Sequence, residues 1–391
     1  MADKREVVVL SAARSAVGTF NGTLAGMEPA DLGGLVIKEA IAAANANIEK
    51  FHAVPDERSP VIETTAGVFC WKKTVAIEKV GLYIPAGSAP LFSTVLMLVI
   101  PAKIAGCREI VVVSPPNADG TIDPVTLYAA KLCGATSVYP IGGAQAIGAL
   151  AYGTETVPSV YKIFGPGNQF VTEAKLQVLR SGVAIDMPAG PSEVAILADE
   201  SCVPAFVAAD LLSQSEHGPD SQVVLVSTSE TVIIETLAEV ERQIELLPRK
   251  AIAAAAIQNS TAVLVATIAD GVEIINDYAP EHLIIATDSA EMVAEQIINA
   301  GSVFIGNYSC ESAGDYASGT NHTLPTGGAA RAYSGVSVAS FTKTITFQRL
   351  TADGISNLGP TIETMAAAEG LDAHRNAVAM RREWIGGRDD I

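Results

Sequence analysis

Histidines in polar or glycine-rich surroundings are the first candidates for chemistry in this sequence. Four of the five histidines stand in such surroundings: His217, His282, His322 and His374. His52 has no comparable surroundings and is assigned no role. Gln214 and His217 are three residues apart, so on a helix they would share a face and could bind one metal ion. The alternative for His217 is a histidine near a helix C-terminus, stabilised by the helix dipole.

The remaining histidine contexts each have a functional and a structural explanation. Glu281-His282 precedes the apolar run Leu283–Ile285. In α/β folds this pair would lie in a ligand crevice only if the crevice were at that edge of the sheet, and a solvated turn explains it equally well. The segment from Gly314 to His322 is too polar and too rich in glycine for a core, and such loops tend to carry function. For His374 the default explanation is a surface helix end.

A metal site is the chemistry that these residue types suit together. Gln214, His217, Asp315 and His374 offer an amide oxygen, two imidazoles and one carboxylate, a set of nitrogen and oxygen ligands suited to zinc and also to other divalent metals. The set carries one negative charge, so a bound divalent ion would keep positive character and accept neutral ligands from a substrate. This favours an open site over a purely structural one.

The elements that must position these residues follow an α/β pattern. Short runs rich in valine and isoleucine alternate with alanine-rich helical patterns, which is typical of mainly parallel sheets. We predict two Rossmann-like parallel-sheet domains and, from about residue 341, a helical C-terminal tail. The predicted helices include Phe92–Ala105 and Pro124–Cys133. The predicted strands include Val80–Ile84, Glu109–Ser114, Ser137–Pro140, Val194–Leu197, Val223–Val226, Ala262–Val265, Leu283–Ala286 and Ser302–Ile305.

Composition favours a small-molecule partner. The chain of 391 residues carries 43 acidic and 25 basic residues, a formal charge of -18, which repels nucleic acid and anionic membranes. The most apolar run, Leu91–Ile100, is too short to span a bilayer and predicts a buried helix. The N-terminal apolar stretch Val7–Leu10 is too short for a signal peptide, so we expect a cytoplasmic protein. The five cysteines form no C-x-x-C pair, which gives no indication of a disulfide framework or a thiolate zinc site.

Several collinear motifs resemble those of the histidinol dehydrogenase family, from about Asn45 to the C-terminus. They are Gly81-Leu82-Tyr83-Ile84-Pro85, Gly142-Gly143-Ala144-Gln145, Phe164-Gly165-Pro166-Gly167-Asn168, Asp186-Met187-Pro188-Ala189-Gly190-Pro191-Ser192, Ser213-Gln214-Ser215-Glu216-His217-Gly218, Pro280-Glu281-His282-Leu283 and Gly314-Asp315-Tyr316 through Asn321-His322. The resemblance implies Zn2+ held by Gln214, His217, Asp315 and His374, with His374 supplied by the other subunit of a homodimer. It implies NAD contacts from Tyr83, Gln145 and Asn168. It implies substrate contacts from Ser192, Gln214, His217, His282, Asp315, His322, Glu369 and His374.

The NAD expectation depends on this resemblance, because no G-x-G-x-x-G motif follows any predicted strand. The loop Gly165-Pro166-Gly167-Asn168 lies between a predicted strand and a predicted helix, where backbone amides could approach a phosphate. Plain helix capping by Asn168 is the alternative. The resemblance divides the chain into a metal and substrate domain (45–82 and 193–340), an NAD-binding domain (83–192) and a tail (341–391) that contributes to the partner's site.

The reaction that the resemblance implies is the oxidation of L-histidinol to L-histidine through histidinal, with two NAD reduced. His282 would accept the hydroxyl proton, and Glu281 would activate the water that adds to the aldehyde. Two alternatives stay open: a related NAD and zinc alcohol dehydrogenase for another substrate, and an inactive zinc- and NAD-binding chimera. His322 and Glu369 weigh against another substrate, because in the family they help to hold the imidazole-bearing alcohol.

The N-terminal segment departs from the family. Residues 5–44, with the run Val7–Phe20 and a helical pattern from Asp31, are similar to the opening strand, loop and helix of thiolases. The segment contains no cysteine that could accept an acyl group, and the glycine-rich C-terminal cysteine segment of thiolases is also missing. The sequence therefore gives no support to acyl transfer.

Overall fold

The computed structural model describes residues 29–53, 60–86, 90–188 and 190–386. The thiolase-like expectation for residues 5–28 therefore lies outside the described residues. The strands are β1 (Ile62–Thr65), β2 (Val68–Ala76), β3 (Lys79–Tyr83), β4 (Glu109–Ser114), β5 (Ser137–Pro140), β6 (Lys162–Phe164), β7 (Ala184–Ile185), β8 (Glu193–Ala198), β9 (Gln222–Ser227), β10 (Thr261–Leu264), β11 (His282–Ala286), β12 (Ser302–Ile305) and β13 (Thr342–Leu350).

The α-helices of the described residues are α1 (Pro29–His52), α2 (Ser93–Ala105), α3 (Pro124–Cys133), α4 (Gly143–Tyr152), α5 (Gln169–Val178), α6 (Pro204–Ser215), α7 (Glu230–Ile244), α8 (Lys250–Gln258), α9 (Ile268–Tyr278), α10 (Ala290–Ala294), α11 (Glu311–Tyr316), α12 (Ala352–Ala368) and α13 (Asp372–Gly386). The chain forms two compact units. The first contains α1 and residues 77–341, and the second contains β1, β2 and residues from 342 onward.

The first parallel sheet of the first unit has the strand order β5-β4-β3-β6-β7. Its central strands are apolar and buried, because helices cover both faces of a parallel sheet. From β3 the chain continues to β4 and β5 on one side of the sheet, and it then continues to β6 and β7 on the other side. The strand order therefore reverses between β3 and β6. Ligands of open α/β sheets bind at the carboxyl ends of the strands beside such a reversal.

The second parallel sheet has the order β10-β9-β8-β11-β12, and its order reverses between β8 and β11. Both of these strands are buried along their whole length. Their register aligns His282 with Val194, and His282 with Ser302 of β12. The predicted mixed α/β fold with two parallel sheets is confirmed, and the predicted strands match the observed ones within one or two residues at their ends.

Helices α1 and α2 pack together beside the first sheet and test two of the sequence predictions. Helix α2 is buried from Ser93 to Ala102, so the prediction of a buried helix for the most apolar run is confirmed. Helix α1 runs without interruption through the predicted boundary at residue 44. Its residues Ile41, Ala44 and Ile48 are buried in the same apolar cluster as α2. One face of the described part of the predicted N-terminal segment therefore packs against the core.

The second unit is an antiparallel sheet, β1-β2-β13, followed by α12 and α13. Strand β13 pairs with β2 along nine residues, from Thr342 opposite Ala76 to Leu350 opposite Val68. The helical C-terminal region is confirmed, but it starts only after β13, which the sequence analysis did not predict. Residues 60–76, assigned above to the metal and substrate domain, belong to this sheet. Among the described residues, no helix has the length and apolar character needed to cross a membrane.

Candidate active site

The Glu281-His282 pair lies at the amino edge of the second sheet, directly before and at the first residue of β11. A tight turn after α9 places it there. Ala279 ends the helix with φ +54° and is fully buried, an uncommon conformation for a residue with a Cβ that surrounding structure must enforce. The main chain of Glu281 is then held by β12, because the Ser302 N–H donates to the Glu281 carbonyl at 3.0 Å.

The His282 ring is buried and oriented through Nδ1. That nitrogen lies 3.1 Å from the main-chain carbonyl oxygen of Glu193, at the start of β8, and 3.2 Å from Nε2 of Gln214. A carbonyl oxygen only accepts, so Nδ1 carries a proton in this contact, and Nε2 is the nitrogen that gains a proton when the neutral ring becomes charged. Nε2 has no hydrogen-bond partner within the described structure and lies 3.3 Å from Oδ1 of Asp315. The ring therefore presents an unpaired nitrogen toward the predicted metal ligands.

Carboxylates dominate the electrostatics around His282. Burial by itself would lower the pKa of the ring, but the charges of Glu281 and Asp315 outweigh burial and hold this pKa well above its usual value. Oε2 of Glu281 lies 3.6 Å from Nδ1 and accepts a 2.9 Å hydrogen bond from the Glu193 N–H. The Glu281 carboxylate is thereby fixed beside the imidazole.

Glu193 is a buried carboxyl group that sequence analysis did not single out. Its Oε1 accepts a 3.0 Å hydrogen bond from the Gly327 N–H, whereas Oε2 is buried without a partner in the described structure. Burial, and then the charge of Glu281, raise the pKa of Glu193 to about 7. The signal in the sequence was an acidic residue that opens an otherwise apolar strand, which is a costly place for a charge.

The predicted ligands of the first unit approach one another from two helices. Gln214 is the second-last residue of α6 and is almost fully buried, and its Oε1 has no hydrogen-bond partner among the described residues. His217 follows the end of that helix and is exposed. Asp315 is buried on α11, and within the described part of the chain its Oδ1 also lacks a hydrogen-bond partner. Ligand atoms of His217, Asp315 and Glu311 lie within 4.8 Å of one another.

This donor set fits a divalent metal ion. A buried amide oxygen and a buried carboxylate oxygen without partners are costly unless they bind something. An amide oxygen, an imidazole nitrogen and a carboxylate oxygen are ligands that suit zinc. The residues of this unit that could hold the ion are Gln214, His217 and Asp315, with Glu311 as an additional neighbour; the sequence analysis named the first three as ligands, and that assignment stays a prediction.

Glu311 was missed by the sequence analysis. It is 1% exposed, and its Oε2 accepts a 2.6 Å hydrogen bond from the Ser213 hydroxyl. Burial, and then the charge of Asp315, raise the pKa of Glu311 to about 8. Glu311 and Asp315 are four residues apart and share one face of α11, so this spacing was the signal that could have indicated it.

The other predicted substrate residues divide between the two units. His322 is half-buried, with Nδ1 2.9 Å from the Asp315 carbonyl oxygen and Nε2 3.1 Å from the Thr94 hydroxyl. Ser192 is half-buried directly before β8. Glu369, at the end of α12, and His374, on α13, belong to the second unit and are exposed there.

The predicted NAD residues lie at the carboxyl edge of the first sheet. Tyr83 ends β3, and its hydroxyl oxygen accepts a 3.1 Å hydrogen bond from the Gly143 N–H at the start of α4. Gln145 is exposed in the first turn of that helix. Asn168 caps α5, accepting from Phe170 N–H and Val171 N–H at 3.1 Å. Tyr83 and the loop before Asn168 thus flank the strand-order reversal between β3 and β6.

Comparison with known proteins adds an independent line of observation. The family model for histidinol dehydrogenase matches residues 35–382. The chain is 60% identical over 349 residues to a histidinol dehydrogenase of Bacteroides fragilis (strain YCH46), covering 89% of this chain and 82% of that protein. It is 54% identical over 346 residues to a histidinol dehydrogenase of Xanthomonas campestris pv. campestris (strain 8004), covering 88% and 80%.

A solved structure agrees with these relatives. The crystal structure of histidinol dehydrogenase from Elizabethkingia anophelis superposes with a TM-score of 0.88 at 56% identity, covering 90% of this chain and 81% of that chain. The family match begins at residue 35, ten residues before the boundary expected from the sequence, and leaves residues 1–34 uncovered. From residue 35 to residue 382, the chain belongs to the histidinol dehydrogenase family of oxidoreductases.

Proposed function

We propose that this enzyme oxidises L-histidinol to L-histidine through histidinal in two successive NAD-dependent steps, the last step of histidine biosynthesis. One observation carries the proposal: a fixed imidazole and a fixed carboxylate, His282 and Glu281, stand beside the unpaired ligand atoms of Gln214 and Asp315. An alcohol oxidation followed by an aldehyde oxidation needs one group for each of two proton transfers. The site offers both groups beside one metal-binding set.

His282 serves the alcohol step in this proposal. Because Nδ1 is held by the Glu193 carbonyl oxygen, the ring is fixed in orientation and tautomer. Nε2 is then the atom that accepts the hydroxyl proton of the substrate as the hydride leaves the adjacent carbon for NAD. The charges of Glu281 and Asp315, which hold the pKa of His282 well above its usual value, stabilise the ring once it has accepted this proton.

Glu281 serves the aldehyde step. Water must add to histidinal before a second hydride can leave, and a carboxylate beside the same carbon can take the proton of that water. The hydrogen bond from the Glu193 N–H to Oε2 holds the Glu281 carboxylate in one orientation. Both proton acceptors are thus preorganised by the main chain at the start of β8.

The metal and the cofactor complete the proposed site. Members of the family generally use NAD and zinc. We assign Zn2+ to Gln214, His217, Asp315 and His374, where the ion would bind the imidazole and amino nitrogens of the substrate and so fix its orientation. Tyr83, Gln145 and Asn168 would contact NAD at the carboxyl edge of the first sheet. Ser192, His322 and Glu369 would contact the substrate, together with His282 and the residues of the metal site.

A homodimer with shared active sites is part of the proposal. His374 and Glu369 lie on exposed positions of the second unit, where they are available to another copy of the chain. Gln214, His217 and Asp315 supply three ligands, and zinc in proteins is usually four-coordinate, so one further donor would complete the set. We assign that donor to His374 of the other subunit.

The remaining assignments follow from the same function. Residues 193–340 would form the metal and substrate domain, residues 83–192 the NAD domain, and residues 341–391 the part that completes the partner's site. A cytoplasmic location supplies the NAD that the reaction consumes. The family match takes in residues 35–44, so the proposed thiolase-like segment is limited to residues 5–34, and we assign it no acyl-transfer chemistry.

The test counts NADH formed by the purified protein from limiting L-histidinol with Zn2+ and excess NAD. Two equivalents of NADH per substrate support the proposal. One equivalent indicates an alcohol dehydrogenase that releases the aldehyde, and no NADH indicates an inactive member of the family. The product of the two-equivalent reaction should be L-histidine, measured by amino-acid chromatography.

A further inference from the structure

A buried ion pair flanks the loop that follows β6. Lys175 lies on α5 and Asp186 directly follows β7. Their side chains form an ion pair and are 3% and 1% exposed. Neither residue has a part in the proposed chemistry.

Both side chains of this pair bind the main chain of Gly165. Nζ of Lys175 donates to the Gly165 carbonyl oxygen at 2.9 Å. The Gly165 N–H donates to Oδ2 of Asp186 at 2.8 Å, and Oδ1 of Asp186 accepts from the Met187 N–H at 2.7 Å. One ion pair therefore holds both polar groups of a single glycine.

Gly165 occupies a position where its main chain lies very close to that of Tyr83. Its φ is +118°, and a Cβ there would lie 2.1 Å from the carbonyl oxygen of Tyr83. The glycine backbone is thus pressed against the end of β3, at the strand-order reversal of the first sheet. The next residues, Pro166 and Gly167, lead to Asn168, which caps α5.

Stability alone is a weak reason for such a pair. Removing two charges from water costs about as much as their attraction returns, so buried ion pairs are often replaceable by apolar residues without loss of stability. The pair is also neutral in sum, and Lys175 is too deeply buried to reach a ligand phosphate. Its structural effect is the geometry of the Gly165 peptide groups.

We propose that Lys175 and Asp186 are positioning residues for dinucleotide binding, which hold the loop of residues 165–168 in the conformation that receives the phosphates of NAD. The inference rests on the proposed NAD-dependent function. Loops between a parallel strand and the following helix bind phosphate through main-chain N–H groups, so their affinity depends on a fixed backbone. The ion pair fixes the loop backbone through its hydrogen bonds to Gly165.

The test replaces the pair by apolar residues of similar size, Lys175→Met with Asp186→Leu. This double variant removes the hydrogen bonds to Gly165 without leaving an unpaired buried charge. We expect the dissociation constant for NAD, measured by titration calorimetry, to rise on the order of 10- to 100-fold. We expect the affinity for L-histidinol in the presence of Zn2+ to change less than about threefold, since misplacement is confined to the cofactor loop.

The matched control is Lys79→Met with Glu109→Leu. That ion pair of 2.9 Å joins β3 and β4 at the opposite, amino edge of the same sheet. The control variant should bind NAD like the unmodified enzyme. If Lys175→Met with Asp186→Leu fails to fold, Lys175→Met with Asp186→Asn carries the test, because the asparagine keeps an acceptor for the Gly165 N–H.

The outcomes separate this inference from the function on which it rests. NAD affinity within about twofold of the unmodified enzyme, in a folded variant that lacks the Lys175 hydrogen bond, overturns the positioning role. NAD binding and NADH formation by the unmodified enzyme would in that case leave the proposed function intact. An unmodified enzyme that binds no NAD overturns both proposals. A selective loss of NAD affinity in the variant supports both.

Discussion

Replacement of Glu281 by glutamine separates the two proposed proton transfers. The side chain is 7% exposed and has nearly the same shape as glutamine, whose amide oxygen can still accept from the Glu193 N–H. The substitution therefore removes the basic carboxylate and leaves the local packing in place. His282 remains as the proton acceptor of the alcohol step.

The size of each effect follows from the role of the group that is lost. A positioned general base contributes about 10²- to 10⁴-fold, or about 3 to 5 kcal/mol of barrier, so oxidation of histidinal should slow by that factor. Oxidation of histidinol loses only the attraction between Glu281 and the imidazolium ring, whose Nδ1 lies 3.6 Å from Oε2. A charge at that distance shifts a pKa by about 1 to 3 units, which weakens the base by roughly 3- to 30-fold.

The assay follows NADH formation from histidinol and from histidinal in separate reactions. Under single-turnover conditions, Glu281→Gln should reduce the histidinal rate at least about threefold more than the histidinol rate. Glu273→Gln, an exposed glutamate on α9, is the matched control and should change neither rate. Equal losses in both half-reactions would refute the division of roles between Glu281 and His282.

Three further predictions concern the loop, the buried acid and the dimer. Gly165→Ala should destabilise the protein by at least about 3 kcal/mol in urea unfolding, since its Cβ would meet a backbone atom at 2.1 Å, whereas Gly148→Ala in open space on α4 should stabilise it by about 0.5 to 1 kcal/mol. Similar unfolding free energies for these two variants would contradict the close approach. Burial raises the pKa of Glu193 to about 7, so the unfolded chain releases this proton at lower pH than the folded protein, and stability should fall as pH rises from about 4.5 to 7. The free energy of unfolding of Glu193→Gln should therefore exceed that of the unmodified protein by up to about 3 kcal/mol at pH 8 and differ little from it near pH 4.5. A difference that does not change with pH would count against the raised pKa of Glu193. Inactive His374→Ala and Glu281→Ala proteins should regain activity when mixed under conditions of subunit exchange, and mixed dimers that stay inactive would place His374 in the site of its own chain.

Much of the fold could be read from the sequence because buried parallel strands are nearly continuous apolar runs. The predictions for β4 and β5 match their observed bounds, and α2 starts within one residue of its prediction. Strand β13 was missed although Thr342, Thr344 and Ile345 are β-branched. Its pairing with β2 is a contact between segments far apart in the chain, which local pattern does not reveal.

The candidate site was only partly predictable for the same reason. Local motifs singled out Gln214, His217 and Asp315, because polar residues at helical spacing beside apolar runs are visible without a structure. Glu193 and Glu311 were missed, since a single acid in an apolar strand or a short helix has no local signature of its partners.

The sequence alone thus determined the candidate residues and the order of the helices and strands. Only the tertiary structure decided at which edge of each sheet those residues lie. Tyr83, one of the proposed NAD residues, lies at the carboxyl edge of one sheet, where open α/β folds favour ligand binding. His282 instead lies at the amino edge of the other sheet, where α6 ends and β8 begins. The physical reason is that burial of Glu193, Glu281 and His282 depends on long-range packing. Their hydrogen bonds and charges act only once α6, α11 and the two strands have come together.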